Sequence, residues 1–405
     1  TCAQLWLLRS EAAFTIGNLA DGWRDYEWRF LTQERPVNIQ TYALPVWKGE
    51  NLATKGILIW CEQGVGDEII FSSMVAEVAA RAKRCVLQAT PRLAPLFARS
   101  FPNIEIFGGA VPADVAESLD VQSAMGSLGQ WMRPTFRLFP TIANYLKANS
   151  ERTLALRTRY GGKKDRALVV GLAWRSANVI DAAEKTVGLD QWGPILMVPG
   201  VTFVNLQYGD TRQAIAVART KFGVDIIDDP EIDSLADLDG YAAQVAAMDL
   251  VISTSNTAAH MAGALGVPTF CMIPRALGNG RRWYWFGEGP HSPWYRSAML
   301  FRQTRDSAWT NTIAEVSAAL TKVAHAPSEL DQPADAPGQG GRYSDESGTP
   351  PKIDKRATIS LRKSAQLKLK SGAPAEALSL IDLALAEEGG SAELHSMRGM
   401  ILARL

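Results

Sequence analysis

Residues 249–268 read DLVISTSNTAAHMAGALGVP, and this stretch decides the fold that we predict for the chain. Leu250, Val251 and Ile252 form a short apolar run, as expected of a strand that is buried on both faces. Polar residues fill 253–257, and Ser and Asn favour a helix start because their side-chain oxygens accept hydrogen bonds from free backbone amides. The stretch therefore predicts a strand, a polar turn and a helix.

Small residues make up the start of this predicted helix and leave its backbone amides uncrowded: Ala258, Ala259, Ala262, Gly263 and Ala264. Exposed amides and the positive end of the helix dipole together favour an anion, and phosphate is the usual occupant. An ordinary corner between a strand and a helix of an α/β fold shows the same pattern. The stretch alone thus fits either a phosphate site or a structural corner.

The composition bounds the size and class of the protein. Its 405 residues suffice for two or three domains, and 47% hydrophobic with 21% charged residues predicts a soluble protein with a substantial core. The 42 basic and 42 acidic residues give zero formal net charge, which argues against nucleic-acid binding. No apolar run approaches the roughly 18 residues of a membrane span.

The cysteines indicate the compartment. They lie far apart without metal-ligand spacing, at Cys2, Cys61, Cys85 and Cys271. The last three sit in strand-like apolar runs, which favours buried thiols in a reducing compartment, so we expect a cytoplasmic protein. The chain begins at Thr1 without a methionine, and we expect it to be a piece of a longer protein.

A second strand, turn and helix is predicted near the start of the chain. The apolar run 56–61 is followed by a turn with Gly64 and Gly66, which let a ligand approach the backbone closely, and by an amphipathic helix over 68–82. Asp67 then lies at the carboxyl end of the strand, where open α/β sheets bind ligands. Its alternative role is that of an N-cap for the helix.

Further strands and helices alternate along the chain. We predict strands at 85–89, 104–107, 168–174, 201–206, 225–228 and 269–273 and helices at 91–99, 189–196, 241–248 and 310–323, with irregular chain at 118–150, 175–188 and 275–305. Two successive α/β units of this kind predict two facing doubly wound domains with a cleft between them.

The two ends of the chain have other patterns. Residues 3–31 look helical, with an aromatic stripe that we interpret as packing, and 325–356 has the composition of a flexible linker. Beyond the linker, small residues recur at tetratricopeptide offsets: Ala365, Gly372, Ala377, Ala384 and, 34 residues after the first, Gly399. A plain helical hairpin is the alternative for this segment.

Several pieces of the chain together carry a family resemblance. They are GWRDYEWR (22–29), ILIWCEQGVGDEIIFSSM (57–74), LVVGLAW (168–174), FVNLQYGD (203–210), AAMDLVISTSNTAAHMAGALGVPTF (246–270) and SPWYRSAMLFRQ (292–303). In this order the chain resembles bacterial tetratricopeptide-repeat glycosyltransferases, whose catalytic part is similar to lipopolysaccharide heptosyltransferases of glycosyltransferase family 9. The resemblance implies an α/β fold of the GT-B type, with two facing Rossmann-like domains flanked by helical repeats.

The resemblance also implies a division of the chain. We expect a helical repeat remnant at 1–34, an acceptor domain at 35–150, a nucleotide-sugar domain at 151–324, a flexible linker at 325–356 and truncated repeat helices at 357–405. The acceptor would be a hydroxyl group, on a protein or glycan that the repeats present. No metal and no cofactor are expected.

Site residues carry over by position. Asp67 matches the general base and Lys185 a basic residue that neutralises the leaving diphosphate, although an exposed loop lysine is the alternative for Lys185. The donor site would comprise Ser255, Asn256, Thr257 and the amides of Ala258 and Ala259, with Gln207 and His260 beside it. For His260 we favour packing or hydrogen bonding over catalysis.

Two features depart from the family. Asn256 stands where the family commonly has Asp, and the loop at 275–282 is unusually rich in glycine. The first change keeps size and hydrogen bonding but loses a charge, which puts donor choice or activity in question. Two function classes therefore stay open, a metal-independent inverting glycosyltransferase and a non-catalytic repeat scaffold that retains the fold. The sequence names neither the base and sugar of the donor, nor the acceptor, nor the oligomeric state.

Overall fold

A computed structural model describes residues 2–32, 42–140, 144–161, 167–176, 182–275, 283–287, 289–304 and 308–325, together with single positions between 365 and 401. The predicted linker and the glycine-rich loop at 276–282 lie outside the described residues. Among the single positions, Ala365 and Ala377 are buried with Ile381, Met397 and Ile401 in a cluster of their own. The assignment of that segment to tetratricopeptide repeats stays a prediction.

The chain starts with two helices, α1 (Cys2–Thr15) and α2 (Leu19–Tyr26), which are followed by a 3₁₀ turn at Glu27–Leu31. Asn18 caps α2 by accepting from the Asp21 amide. Gly22 lies inside α2 with the ring of Phe14 against it.

The first sheet is entirely parallel and has the strand order β3-β2-β1-β4. Its strands are β1 (Gly56–Trp60), β2 (Arg84–Ala89), β3 (Glu105–Gly108) and β4 (Val121–Ala124). The accompanying helices are α3 (Val65–Ser72), α4 (Val75–Ala79), α5 (Ala94–Ser100), α6 (Ala113–Glu117) and α7 (Gly129–Met132). The strand order reverses between β1 and β4, so the sheet has a topological switch point there.

The second sheet is also parallel, with the order β10-β9-β8-β5-β6-β7. Its strands are β5 (Leu168–Ala173), β6 (Val201–Asn205), β7 (Ile226–Ile227), β8 (Leu250–Thr254), β9 (Thr269–Ile273) and β10 (Ala298–Arg302). The helices are α8 (Ser150–Gly161), α9 (Ala182–Lys185), α10 (Gly193–Leu196), α11 (Arg212–Phe222), α12 (Leu238–Ala246), α13 (Thr257–Leu265) and α14 (Thr310–His325). Its switch point lies between β5 and β8.

The prediction of an α/β fold with parallel sheets is confirmed, while several elements differ from expectation. The single helix expected over 68–82 begins at Val65 and is interrupted between Ser72 and Val75. Strands β4 and β10 lie in regions that we predicted to be irregular. In β4 the buried Gln122 accepts a hydrogen bond from the Trp60 indole at 2.6 Å. A polar residue is therefore buried where the apolar pattern of a strand would have an apolar residue.

One apolar core joins the N-terminal helices to both sheets. Phe14 stacks on Trp283 with 4.0 Å between ring centroids, and Trp23 donates its indole N–H to the Arg133 carbonyl at 2.8 Å. The rings of Trp23 and Phe71 are also in edge contact. The helices of residues 1–34 therefore share the core of the α/β units.

Candidate functional site

The two switch points bring the carboxyl ends of β1 and β8 together. In open parallel sheets, ligands bind at such points because loops leave the sheet there in opposite directions. A β-carbon built on Gly66, in the turn after β1, would lie 3.9 Å from Thr257 Oγ1 and 3.8 Å from His260 Nε2. The glycine turn of the first sheet thus lies against the start of α13, and both predicted halves of the site meet.

Asn256 organises the start of α13. Its Oδ1 accepts from the Ala258 amide and from Ser253 Oγ, each at 2.9 Å, and its Nδ2 donates to the Arg175 carbonyl at 3.2 Å. The cap occupies the Ala258 amide, one of the predicted phosphate donors. The amides of Thr257 and Ala259 belong to the first turn, whose N–H groups have no intrahelical acceptor.

Ser255 and His260 hold an aromatic wall beside this helix. Ser255 Oγ accepts from the Trp285 indole at 2.8 Å, so its hydroxyl positions a neighbouring segment. The His260 ring stacks on Trp285 at 5.2 Å between centroids, and its Nδ1 lies 2.9 Å from the Tyr295 hydroxyl. Burial, together with the nearby Lys185 cation, lowers the pKa of His260 to about 3. The imidazole is therefore neutral at ordinary pH.

Lys185 is buried at the end of α9, with 5% of its surface exposed. The alternative of an exposed loop lysine is wrong. Its positive charge acts on two other side chains. Burial is the main cause of the lowered pKa of His260, and the Lys185 charge lowers it further. For Cys271, burial raises the pKa and the Lys185 charge opposes that rise. The predicted cation is therefore buried and near enough to His260 of α13 for its charge to act there.

Asp67 is the third residue of α3, and Gly64 takes the N-cap position. The alternative of Asp67 as the N-cap is therefore corrected: its Oδ2 accepts from the Gly64 amide at 3.3 Å, as a third-position acid does in a capping box. Its side chain is half-buried. Burial is the main cause of the raised pKa values of Tyr26 and Tyr295, and the Asp67 charge adds to both. Asp67 is therefore near enough to both rings for its charge to act on them.

Gln207 serves the architecture of the site. Its Oε1 accepts from the consecutive amides of Trp174 and Arg175 at 2.9 and 2.8 Å, and so holds the loop after β5. The Arg175 guanidinium donates to the carbonyls of Tyr208 and Asp210 at 3.1 and 3.0 Å. With the bond from Asn256, the loops after β5, β6 and β8 form one unit. The predicted contact of Gln207 with a nucleotide stays a prediction.

Arg175, Trp285 and Tyr295 are site residues that sequence reasoning missed. Arg175 directly follows the strand β5, a position that could have marked it. Trp285 and Tyr295 gave no such signal, because they lie 25 and 35 residues beyond the His260 that they contact, in a region that we predicted to be irregular.

The described residues contain no group of three or more His, Cys, Asp or Glu side chains that could hold a metal ion. The expectation of a metal-independent protein stays a prediction. Within the same described part of the chain, no helix is long and apolar enough to cross a membrane.

Comparison with known proteins gives distant relatives. No family model matches the chain. Protein FlbA of Caulobacter vibrioides is 32% identical over 336 residues, which make up 78% of this chain and 55% of that protein. The chain thus spans about half the length of this curated relative.

Two solved structures also resemble the chain. A family 9 glycosyl transferase from Veillonella parvula is 13% identical with a TM-score of 0.48, and the match covers 70% of this chain and 99% of that one. ADP-heptose lipopolysaccharide heptosyltransferase II of E. coli is 12% identical with a TM-score of 0.47, over 67% and 99% of the two chains. At these identities and TM-scores the likeness assigns no activity to this chain.

Proposed function

We propose that the chain is a glycosyltransferase of the GT-B type, which transfers a sugar from a nucleotide-sugar to a hydroxyl group with inversion at the anomeric carbon. The proposal rests on one observation: the turn that carries the Asp67 carboxylate lies against the start of α13, near the positive charge of Lys185. Gly66 lies against Thr257 and His260, Asp67 follows Gly66, and the buried Lys185 acts on the same helix. An acid and an anion site face each other, as group transfer from a diphosphate requires.

The chemistry assigns a role to each group. The acceptor oxygen attacks the anomeric carbon and forms the new bond, while the bond from that carbon to the diphosphate oxygen breaks and its electron pair stays on the diphosphate. Asp67 takes the hydroxyl proton during the attack. The amides of the first turn of α13, Thr257 Oγ1 and the Lys185 ammonium stabilise the charge that develops on the leaving group.

The proposal includes transfer without a metal ion. A leaving diphosphate needs positive charge, and here Lys185 and the α13 helix start supply it from within the protein. Lys185 is held in a largely buried position, where a charge acts more strongly than at the surface. Use of a nucleotide-sugar, which cells make in the cytoplasm, supports a cytoplasmic location.

A protein acceptor, presented by the helices beyond 357, is part of the proposal. Its support is the 34-residue spacing from Ala365 to Gly399 and the burial of Ala365 and Ala377 in a separate cluster. Repeat helices stack into extended surfaces that bind peptides. The resemblance to repeat-containing glycosyltransferases points the same way.

The test combines binding and turnover in a buffer with a chelator. A nucleoside diphosphate at about 100 times its Kd should add about 2.7 kcal/mol to the free energy of unfolding and so raise the Tm. Thr257→Glu should abolish that shift because it places charge and bulk on the phosphate site. Asp67→Asn should keep it and lose about 10²–10⁴-fold in turnover, since the amide cannot take the proton.

Asp114→Asn is the matched control, because Asp114 is an exposed acid in the first turn of another helix of the same unit. Its turnover should equal that of the parent. A parent with no thermal response to any nucleoside diphosphate would favour the non-catalytic scaffold. Turnover of Asp67→Asn within a few-fold of the parent would remove Asp67 from the mechanism.

A further inference from the structure

The N-terminal helices reach the turn that carries the proposed base. Tyr26, the last residue of α2, is 4% exposed, and its hydroxyl lies 3.0 Å from Gln63 Oε1 and 2.8 Å from Gln63 Nε2. Gln63 is the residue directly before the N-cap Gly64 of α3. The Tyr26 side chain thus contacts the turn four residues before Asp67.

A buried ion pair holds the beginning of the same turn. Arg29 is 2% exposed and donates to Glu62 Oε1 at 2.9 Å, to Glu27 Oε1 at 2.6 Å and to Ser127 Oγ at 2.8 Å. Its guanidinium carbon lies 4.4 Å from the centre of the Tyr26 ring. Glu62, also 2% exposed, accepts in addition from the Gly126 amide at 3.2 Å. The turn after β1 is therefore held at Glu62 by the ion pair with Arg29 and at Gln63 by the Tyr26 hydroxyl.

We propose that Tyr26 is a positioning residue of the transfer reaction: through Gln63 it holds the turn of residues 62–67 so that Asp67 projects toward the start of α13. The expected effect on kcat rests on the proposed function. It gives the N-terminal helices a role in the site that neither their aromatic pattern nor the comparisons assign.

The same helices are fixed on their other side by the second α/β unit. The Gly287 amide donates to the Thr15 carbonyl at 3.1 Å, and the ring of Tyr26 lies 5.5 Å from that of Trp283. Trp283 is two residues before Trp285, which supports His260. Tyr26 therefore lies where the segment behind α13 and the turn before α3 come together, so a small shift of its hydroxyl acts directly on their spacing.

Simple packing is the competing explanation, and the choice of variant separates the two. Removing Arg29 would leave Glu62 buried without its partner and would unfold the region whatever its function. Tyr26→Phe keeps the ring among Phe14, Trp23 and Phe71 and removes only the hydroxyl. Tyr160→Phe is the matched control, because Tyr160 is 1% exposed and its hydroxyl donates to Asp229 in the second unit.

The experiment measures amide hydrogen exchange, kcat and the Kd of nucleoside diphosphate for the full chain. Tyr26→Phe should speed exchange over residues 62–68 and lower kcat about tenfold, since a misplaced catalytic group loses rate. Its Kd should stay within twofold of the parent value. Gln63→Met should reproduce the loss, although it also removes the bond from Gln63 Nε2 to Glu62 Oε1. The double variant should lose no more than Gln63→Met alone, because that change already removes the contact with the Tyr26 hydroxyl. Tyr160→Phe should leave exchange over 62–68 and kcat unchanged.

Unchanged exchange over 62–68 in Tyr26→Phe would overturn the inference, and so would faster exchange with an unchanged kcat. Additive losses in the double variant would do the same. A parent that transfers no sugar would refute the proposed function instead, and the exchange comparison would then decide alone whether Tyr26 holds the turn.

Discussion

Asn256 caps α13, and Asn256→Asp tests whether its amide has a purpose. Asn256 is 8% exposed, and its Nδ2 donates to the Arg175 carbonyl while its Oδ1 caps α13. A carboxylate keeps the cap, since Asp and Asn cap about equally well. It cannot donate, so the Arg175 carbonyl would lose its partner and face a negative oxygen. We therefore expect the variant to damage the site although it keeps the size of the side chain.

The magnitude follows from these contacts. Leaving a buried carbonyl unsatisfied costs about 1–3 kcal/mol, and the helix dipole returns about 0.3–1 kcal/mol by favouring the new charge. The free energy of unfolding should fall by about 1–2 kcal/mol. The new charge would also lie beside the proposed diphosphate site, where repulsion of about 2–4 kcal/mol at an effective dielectric of 20 should weaken nucleoside diphosphate binding by about 30- to 1,000-fold.

Calorimetric Kd values and Tm values at several pH values give the assay. As the pH falls from 6 to 3, through the ordinary Asp pKa of about 3.9, protonation of the introduced carboxyl restores a donor to the Arg175 carbonyl, so the Tm difference from the parent should shrink. Asn149→Asp is the control, because Asn149 Oδ1 accepts from the Arg152 amide at the start of α8, far from β8 in the chain. Binding by Asn256→Asp as tight as by the parent would refute the reasoning.

Two further predictions concern the contact between the glycine turn after β1 and the helix α13. The pKa of His260 is about 3 in the folded chain and about 6.5 when unfolded, so its contribution to stability is complete above pH 6.5 and lost as the pH falls toward 3, by up to about 1.4 kcal/mol per pH unit. Urea unfolding between pH 4.5 and 7.5 should show this slope, and His260→Gln should flatten it; an equal slope in both would contradict the buried neutral imidazole. Gly66→Ala would place a methyl group 3.2 Å from His260 Cδ2 and should cost about 1–3 kcal/mol by overpacking. Gly161→Ala is the control, because a β-carbon at Gly161 has no atom within 4 Å. Equal Tm values for the two variants would contradict the prediction, since they would show that the residues around Gly66 move aside at no cost.

The core of the fold was readable from local pattern. Residues 249–268 form β8 and α13 as predicted, because an apolar run, a capping Asn and small helix residues all agree locally. Strand β4 escaped prediction because its sequence VQSA has a polar middle, and Gln122 is satisfied by Trp60 from a neighbouring strand. A strand that is stabilised by long-range side-chain contacts leaves no periodic signal in its own few residues.

The site was predictable in residue type but only partly in role. We predicted Asp67 and Thr257 from their positions after strand ends and Lys185 from the family resemblance. The structure places Thr257 near Gly66 and buries Lys185, while the roles of all three stay predictions. The bonds of Gln207 to two amides and of Ser255 to Trp285 depend on where loops meet in space. Residue identity fixes what a side chain is able to donate or accept, and the partner is decided by the fold.

The N-terminal segment shows how these two kinds of information differ. Its aromatic stripe at helical spacing correctly indicated packing, since Phe14 and Trp23 enter the main core. Its partners, however, come from three distant parts of the chain: Phe71 from α3, the Arg133 carbonyl from the end of α7, and Trp283 from the second unit. Composition places a boundary near residue 34, yet hydrogen bonds and ring contacts cross that boundary to the turn that carries Asp67. A segment that resembles an appended repeat is therefore built into the wall of the candidate site, and the geometry of Asp67 depends on it.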